Sequence, residues 1–263
     1  MTLFFPFFCL KSQQRPLYCS KCRNVIIKIN RANWTRQKRQ NKRSQKMATD
    51  SKRPFVVSIE GNIGSGKSTM LKYFEKVDEN VAVVPEPVTE WCDLNGVNLL
   101  QKLYEDSQRW SMQFQAYVQL SRLRLLKHPS KKKIKLLERS IQNNRFCFLE
   151  LAQREGSLGK HELAVLKSWY EWLDQSMGLE LDLIVYLRTS PEISYNRMCA
   201  RGRSEENGIP RQFIQSLHNV YEDWLIHKTL GTIDTPVLVI DADSTKEEMI
   251  KSYESYKSKI FGS

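Results

Sequence analysis

The segment Gly61-Asn62-Ile63-Gly64-Ser65-Gly66-Lys67-Ser68 constrains the fold of this chain more than any other. It fits G-x-x-x-x-G-K-[ST], follows the apolar run Phe55-Val56-Val57-Ser58-Ile59, and continues from Thr69 to Lys76 with helical character. A buried strand, a glycine-rich turn and a helix in that order form an anion cradle. Glycines let backbone N–H groups converge on a phosphate, and the helix N-terminus adds a positive dipole. Lys67 then reaches the outer phosphates, and Ser68 offers a hydroxyl to Mg²⁺. The expected triphosphate-binding residues are therefore Gly61, Asn62, Ile63, Gly64, Ser65, Gly66, Lys67, Ser68 and Thr69. ATPases, GTPases and small-molecule kinases share this cradle and differ in what they present to the γ-phosphate, so other residues must decide.

Four more short apolar runs follow the first, at Val81 to Val84, Ile134 to Leu137, Leu181 to Leu187 and Val237 to Ile240, with helical periodicity between them. Five strands joined by helical crossovers predict an α/β fold, a doubly wound five-stranded parallel sheet of the P-loop NTPase type flanked by helices. Leu99, Leu100, Leu103, Trp110, Phe114, Tyr117, Leu120 and Leu123 recur near the 3.6 period, which predicts a helical excursion walling a cleft. Further helices are expected from Ser140 to Glu155, Lys160 to Met177, Pro191 to Ala200, Pro210 to Leu230 and Thr245 to Ile260. Lys131-Lys132-Lys133 reads as a solvated loop entering the third strand.

With 263 residues and 41% hydrophobic content, one substantial core is expected. The formal charge of +12 is unevenly placed: 12 Lys and Arg and no acidic residue precede Asp50, which leaves 29 basic against 29 acidic residues afterwards. A basic leader over residues 1–52, free of acidic residues as far as Thr49, has the composition of a transit peptide, which implies a mitochondrial location. A cytoplasmic location follows instead if Met47 is the working start. No apolar run approaches the ~20 residues that a membrane helix needs. Cys92, Cys147 and Cys199 fall in apolar or helical surroundings and are expected as buried thiols. The lone pair Cys19 and Cys22 lacks the second ligand pair of a zinc site.

In an open parallel sheet, ligands sit at the carboxyl ends of the strands. The second strand ends in Pro85-Glu86-Pro87, so Glu86 should face the cradle, where a carboxylate can accept the proton of an attacking hydroxyl. Helix capping or a structural ion pair is the alternative for Glu86. The third strand ends in Leu137-Glu138-Arg139-Ser140, which supplies Glu138 for hydrated Mg²⁺ and Arg139 for charge on the transferring group, unless the two form an ordinary salt bridge. Arg197, Arg201 and Arg203 around Gly202 suit an arginine-rich lid that closes over the triphosphate; a solvated basic helix end is the alternative.

The cradle, Glu86-Pro87, Trp91, Phe114-Gln115, Glu138-Arg139-Ser140 and Arg201-Gly202-Arg203-Ser204-Glu205-Glu206 together resemble the deoxyribonucleoside kinase family. The likeness runs from about Pro54 to Ile260, so residues 53–263 are expected to form the kinase domain. It implies transfer of the γ-phosphate of ATP to the 5′-hydroxyl of a deoxyribonucleoside, with Mg²⁺, in a homodimer that needs neither nucleic acid nor membrane. By resemblance, Glu86 is the general base, Arg139 lies near the hydroxyl and the phosphates, and Glu138 joins Ser68 in the metal's shell. Gln115 pairs with the base and Phe148 stacks on it, while Trp91, Ile63 and Phe114 line the pocket. Tyr104 and Glu206 hold the 3′-hydroxyl. Arg197 stacks on adenine, and Asp241-Ala242-Asp243 borders it.

Positions that tune base choice do not follow one relative. Val118 matches thymidine-preferring members, Arg122 matches the deoxycytidine and deoxyguanosine type, where it either contacts a larger base or is held off by its neighbours, and Asn144 matches neither. Pyrimidines are expected first, with purines tolerated. A nucleoside-monophosphate kinase shares cradle and lid but needs a basic cluster for the acceptor's phosphate, whereas the acceptor side here offers Glu86 and Gln115. A nucleic-acid-binding protein using the basic leader is a more distant reading.

Overall fold

A computed structural model describes residues 53–231 and 233–262, so the basic leader and the Cys19–Cys22 pair lie outside the described residues. The described unit is built on β1 (Phe55–Glu60), β2 (Val81–Val84), β3 (Ile134–Glu138), β4 (Leu183–Arg188) and β5 (Val237–Asp241). All pairings are parallel, in the order β2-β3-β1-β4-β5. Parallel strands need crossovers, and helices supply them: α1 (Lys67–Val77), α2 (Val88–Cys92), α3 (Leu99–Glu105) and α4 (Ser107–Lys127) in the first half.

After β3 the chain enters α5, which begins as Ile141–Asn143, widens into a π turn at Asn144–Phe148 and resumes as Leu149–Arg154. Then come α6 (Lys160–Met177), α7 (Pro191–Arg201), α8 (Arg211–Tyr221, closed by a π turn at Glu222–Ile226) and α9 (Lys246–Phe261). The helix expected to run on to Leu230 stops short, and Lys228 already has a φ of 57°. The excursion expected from Leu99 is cut in two at Asp106, whose side chain accepts from the backbone N–H of Arg109 and caps α4.

Both faces of the sheet are buried, which is why its strands read as nearly continuous apolar runs. Val57, Ile59, Leu136, Val185 and Leu187 pack with Met70, Phe74, Tyr253 and Ile260 of α1 and α9. Alternate residues Val56, Ile184 and Tyr186 face Leu217, Val220, Tyr221 and Trp224 of α8. Lys131, Lys132 and Lys133 are exposed, as expected of a solvated loop. The cysteine expectation holds only for Cys147: Cys92 is half-buried and Cys199 exposed, because Cys199 lies on the solvent side of α7 near its end. Among the described residues no helix is long and apolar enough to cross a membrane.

Candidate active site

The cradle is set by β1 and α1. Gly61 has a φ of +146°, and a Cβ there would lie 2.7 Å from the Leu187 carbonyl oxygen, so glycine alone fits. Gly66 caps α1 in the left-handed region, and Asn62 ties the turn to α8 by donating to the Ile214 carbonyl at 2.9 Å. Lys67 Nζ donates to the carbonyls of Gly61 at 3.1 Å and Asn62 at 2.7 Å. Burial, with the charge of Arg139 nearby, pushes its ammonium down to about 7, while Glu138, Glu86 and Glu60 pull the other way. A bound polyphosphate adds negative charge at the ammonium and favours its protonated form.

Parallel pairing sets Ile59 opposite Glu138, so the turn after β3 lies beside the cradle. Glu138 Oε1 accepts from Ser68 Oγ at 2.7 Å. A hydroxyl and a carboxylate side by side are the oxygen donors that Mg²⁺ takes from protein when waters and phosphates complete its shell, so this pair fits that ion. Among the described residues no cluster of three or more His, Cys, Asp or Glu side chains forms a metal cage.

Arg139 occupies an unusual backbone position for a non-glycine residue, φ 60°, held by its N–H to the Ile59 carbonyl at 3.1 Å. Its guanidinium donates to Tyr221 Oη, the Gly61 carbonyl and Glu86 Oε2, the last at 2.6 Å. Pro85 lacks the N–H to continue β2, and Pro87 keeps Glu86 out of the helical region, so the carboxylate projects from the strand end. Its other oxygen accepts from Arg122 at 2.5 Å. Burial works to raise the Glu86 pKa, but Arg139, Arg122 and Lys67 hold it down at about 2.

Glu86, Lys67, Glu138 and Arg139 line one cavity of about 520 Å³, so the carboxylate and the cradle share a space as the sequence implied. Trp91, Phe114, Val118 and Phe148 form its apolar walls, with Gln115, Tyr104, Glu206 and Ile63 also at its surface. Trp91 meets Phe114 edge-on at 5.5 Å and donates to Ser121 Oγ, while Arg139 lies 5.2 Å over the Phe148 ring. Arg201 and Arg203 reach this cavity too, but here they pair with Glu206, at 2.5 and 3.6 Å. A second cavity of about 410 Å³ opens on the other side of the cradle, lined by Gly64, Ser65, Gly66, Ser68, Thr69 and Arg197 among others.

Not every expected residue comes to these cavities. Asp241 and Asp243 line neither one: their carboxylates accept from the backbone N–H groups of Asp243 and Ser190. Arg197 holds the same turn through the Ala242 and Ser244 carbonyls. Asn144 is fully buried behind Gln115. Arg122, singled out for base choice, lines the cavity but spends its guanidinium on Glu86, the Ser140 carbonyl and Asn143 Oδ1.

Over residues 57–260 the chain matches the family model described as deoxynucleoside kinase. The chain belongs to the deoxynucleoside kinase family. It is 37% identical to human "Thymidine kinase 2, mitochondrial" over 233 residues, covering 89% of this chain and 84% of that protein. It is 35% identical to mouse deoxycytidine kinase over 247 residues, covering 82% and 94%, and 36% identical to the human deoxycytidine kinase over 234 residues, covering 78% and 88%. The kinase therefore transfers a phosphoryl group from a nucleoside triphosphate donor to a deoxynucleoside acceptor, a reaction of nucleotide salvage.

Sequence reasoning passed over Glu60, although a carboxyl inside an apolar strand next to a phosphate cradle is itself a signal. Glu60 is wholly buried; its Oε1 accepts from Ser58 Oγ, the Ser140 N–H and Ser140 Oγ at 2.6, 3.0 and 2.8 Å. Burial pushes its pKa above the ordinary carboxylate range, with the two serine hydroxyls opposing. It thereby fastens the turn that carries Arg139 to the strand that carries the cradle. Glu60→Gln keeps an acceptor oxygen in place and should hold turnover within about threefold, whereas Glu60→Ala orphans buried donors at about 1–3 kcal/mol each. Urea unfolding together with steady-state kinetics checks both. A Gln variant as impaired as the Ala variant would show that the charge, not the acceptor, matters.

Proposed function

We propose that this kinase transfers the γ-phosphate of ATP to the 5′-hydroxyl of a deoxyribonucleoside, pyrimidines ahead of purines, with Glu86 receiving the hydroxyl proton. The observation that carries this reading is the buried Glu86 carboxylate, clamped by Arg122 and Arg139 in the cavity it shares with Lys67. The hydroxyl oxygen attacks the γ-phosphorus, the bond to the β–γ bridging oxygen breaks, and ADP departs. The proton passes to Glu86 and then to solvent. A carboxylate with a pKa of about 2 is a weak base, which fits a loose transition state: the attacking oxygen becomes acidic only as its bond to phosphorus forms.

Mg²⁺, held through Ser68 and Glu138, would neutralise charge on the β- and γ-phosphates. Arg139 is placed to turn from Glu86 toward the transferring group, and Arg201 and Arg203 to exchange Glu206 for phosphate oxygens. Gln115 is an amide beside the apolar side chains Trp91, Phe114 and Val118, which suits a base edge, and Phe148 offers a ring to its face. Tyr104 and Glu206 at the same cavity suit the 3′-hydroxyl. On this reading Arg122 orients Glu86 and acts on base choice only indirectly. Trp91, Phe114, Val118 and Phe148 with Gln115 suit an uncharged nucleoside rather than a nucleoside monophosphate, since Arg139, Arg201 and Arg203 are assigned to the transferring phosphate.

Two further parts of the proposal concern assembly and place. On α6, Val165, Trp169 and Trp172 are exposed at 56%, 49% and 53%, spaced along one face, and the two indoles lie 5.6 Å apart. An apolar stripe of this kind suits a second copy of the chain and supports a homodimer. The basic residues 1–52, free of acidic side chains before Asp50, support a mitochondrial transit segment, as does the similarity to human "Thymidine kinase 2, mitochondrial"; translation from Met47 would leave the kinase in the cytoplasm.

With labelled ATP and the four deoxynucleosides, Glu86→Gln should lower turnover about 10²-fold or more while nucleoside affinity stays near normal. Because Glu86 titrates near 2, its protonation should impose no acid limb on kcat/KM between pH 5 and 8. Near-normal turnover in the variant would remove Glu86 from the chemistry, and activity on thymidine monophosphate but not thymidine would reverse the acceptor assignment. Trp169→Glu with Trp172→Glu should halve the mass found by sedimentation equilibrium; an unchanged mass would place the interface elsewhere. Residues 1–52 fused to a reporter should carry it into mitochondria, and a cytosolic reporter would favour the start at Met47.

A further inference from the structure

Behind the wall amide Gln115 stand two more side-chain amides, both wholly buried and neither lining the cavity: Gln119, one turn further along α4, and Asn144, on the π turn of α5. Gln119 Nε2 donates to Asn144 Oδ1 at 2.8 Å, and Asn144 Nδ2 donates to Gln115 Oε1 at 2.6 Å. The three amides thus form a chain of hydrogen bonds with one sense. Its far end is not pinned, because Gln119 Oε1 is buried without a partner. Each amide has a donor end and an acceptor end, so turning all three by half a revolution yields two hydrogen bonds of the opposite sense and still leaves one unpartnered polar atom on Gln119.

We propose that Gln119 and Asn144 form a reversible amide relay that sets the polarity of Gln115, allowing the kinase to accept bases of either hydrogen-bonding sense. This rests on the assignment of the cavity to a deoxyribonucleoside whose base edge meets Gln115. Cytosine and adenine present an amino group beside a bare ring nitrogen, whereas thymine and guanine present an oxo group beside a ring N–H. A glutamine paired to the first edge must turn over to pair with the second. If its orientation were locked, the site would reject the wrong edge by about 10⁴-fold, as sites with mismatched buried polar groups do. A relay that reverses as a unit keeps its internal hydrogen bonds in both states, so neither edge carries that penalty. Gln119 and Asn144 are positioning residues here; they act on the base only through Gln115.

Asn144→Asp tests the relay, because an ionised carboxylate only accepts and therefore fixes Gln115 with Nε2 toward position 144. Using the full chain with ATP, deoxycytidine and thymidine compete as acceptors of nearly equal size, and the ratio of their kcat/KM values is independent of the fraction of folded enzyme. For the wild type we expect a ratio within about 30-fold of unity, and for Asn144→Asp a displacement of about tenfold or more from the wild-type ratio. Asn144→Leu, which removes both hydrogen bonds, should lower both kcat/KM values while moving the ratio by less than about tenfold. A wild-type ratio beyond about 30-fold, an Asp variant that keeps the wild-type ratio, or a Leu variant that shifts it as the Asp variant does would each overturn the relay. The wild-type ratio needs no variant to fold. If neither nucleoside is phosphorylated, the assignment of the cavity fails, and the relay with it.

Discussion

Two turns must be held together for this site to exist: the phosphate cradle after β1 and Glu138-Arg139-Ser140 after β3. Parallel pairing brings Ile59 level with Glu138, and the Arg139 N–H to the Ile59 carbonyl extends that contact beyond the sheet. Glu60 then grips Ser140 through both its backbone and its hydroxyl. Arg139 sits in the left-handed region between these fastenings, a conformation that costs a non-glycine residue on the order of 1–3 kcal/mol and persists only where surroundings over-determine it. The consequence is positional: Glu138 meets Ser68, and the Arg139 guanidinium stands between the Gly61 carbonyl of the cradle and Glu86 in the cavity they line.

From that placement follows a concentration of buried charge. Glu86, Arg122, Arg139 and Lys67 are almost wholly out of water, and such groups are retained only if each is paired. Glu86 uses one oxygen for each arginine, and Lys67 is held by backbone carbonyls. A polyphosphate entering such a site meets cations already out of water, where their charge acts more strongly than in solvent. Arg201 and Arg203 follow the same rule of pairing, both meeting Glu206.

How much of this was legible in sequence depended on whether a residue's neighbours in the chain determine its role. The cradle was legible because strand, glycines, lysine and helix are contiguous, and each strand appeared as an apolar run because both sheet faces are covered. Glu86 and Glu138-Arg139 were legible as strand ends, given that parallel sheets bind at their carboxyl edge. The pairing of Arg122 was not: its residue type matched a family pattern at a base-tuning position, but its partner Glu86 lies 36 positions away in the chain. Nor was it legible that Asp241 accepts from the Asp243 N–H within its own turn while Asp243 ties that turn to the Ser190 N–H.

The sequence by itself determined the fold class, the phosphate cradle and the family, because these rest on local patterns whose chemistry needs few partners. Only the tertiary structure decided that Glu60 is a fastening, that Arg122 serves Glu86, and that Gln119 and Asn144 back Gln115. A buried polar group takes its meaning from whatever satisfies it, and in a parallel sheet with long crossovers those partners come from segments distant in the chain.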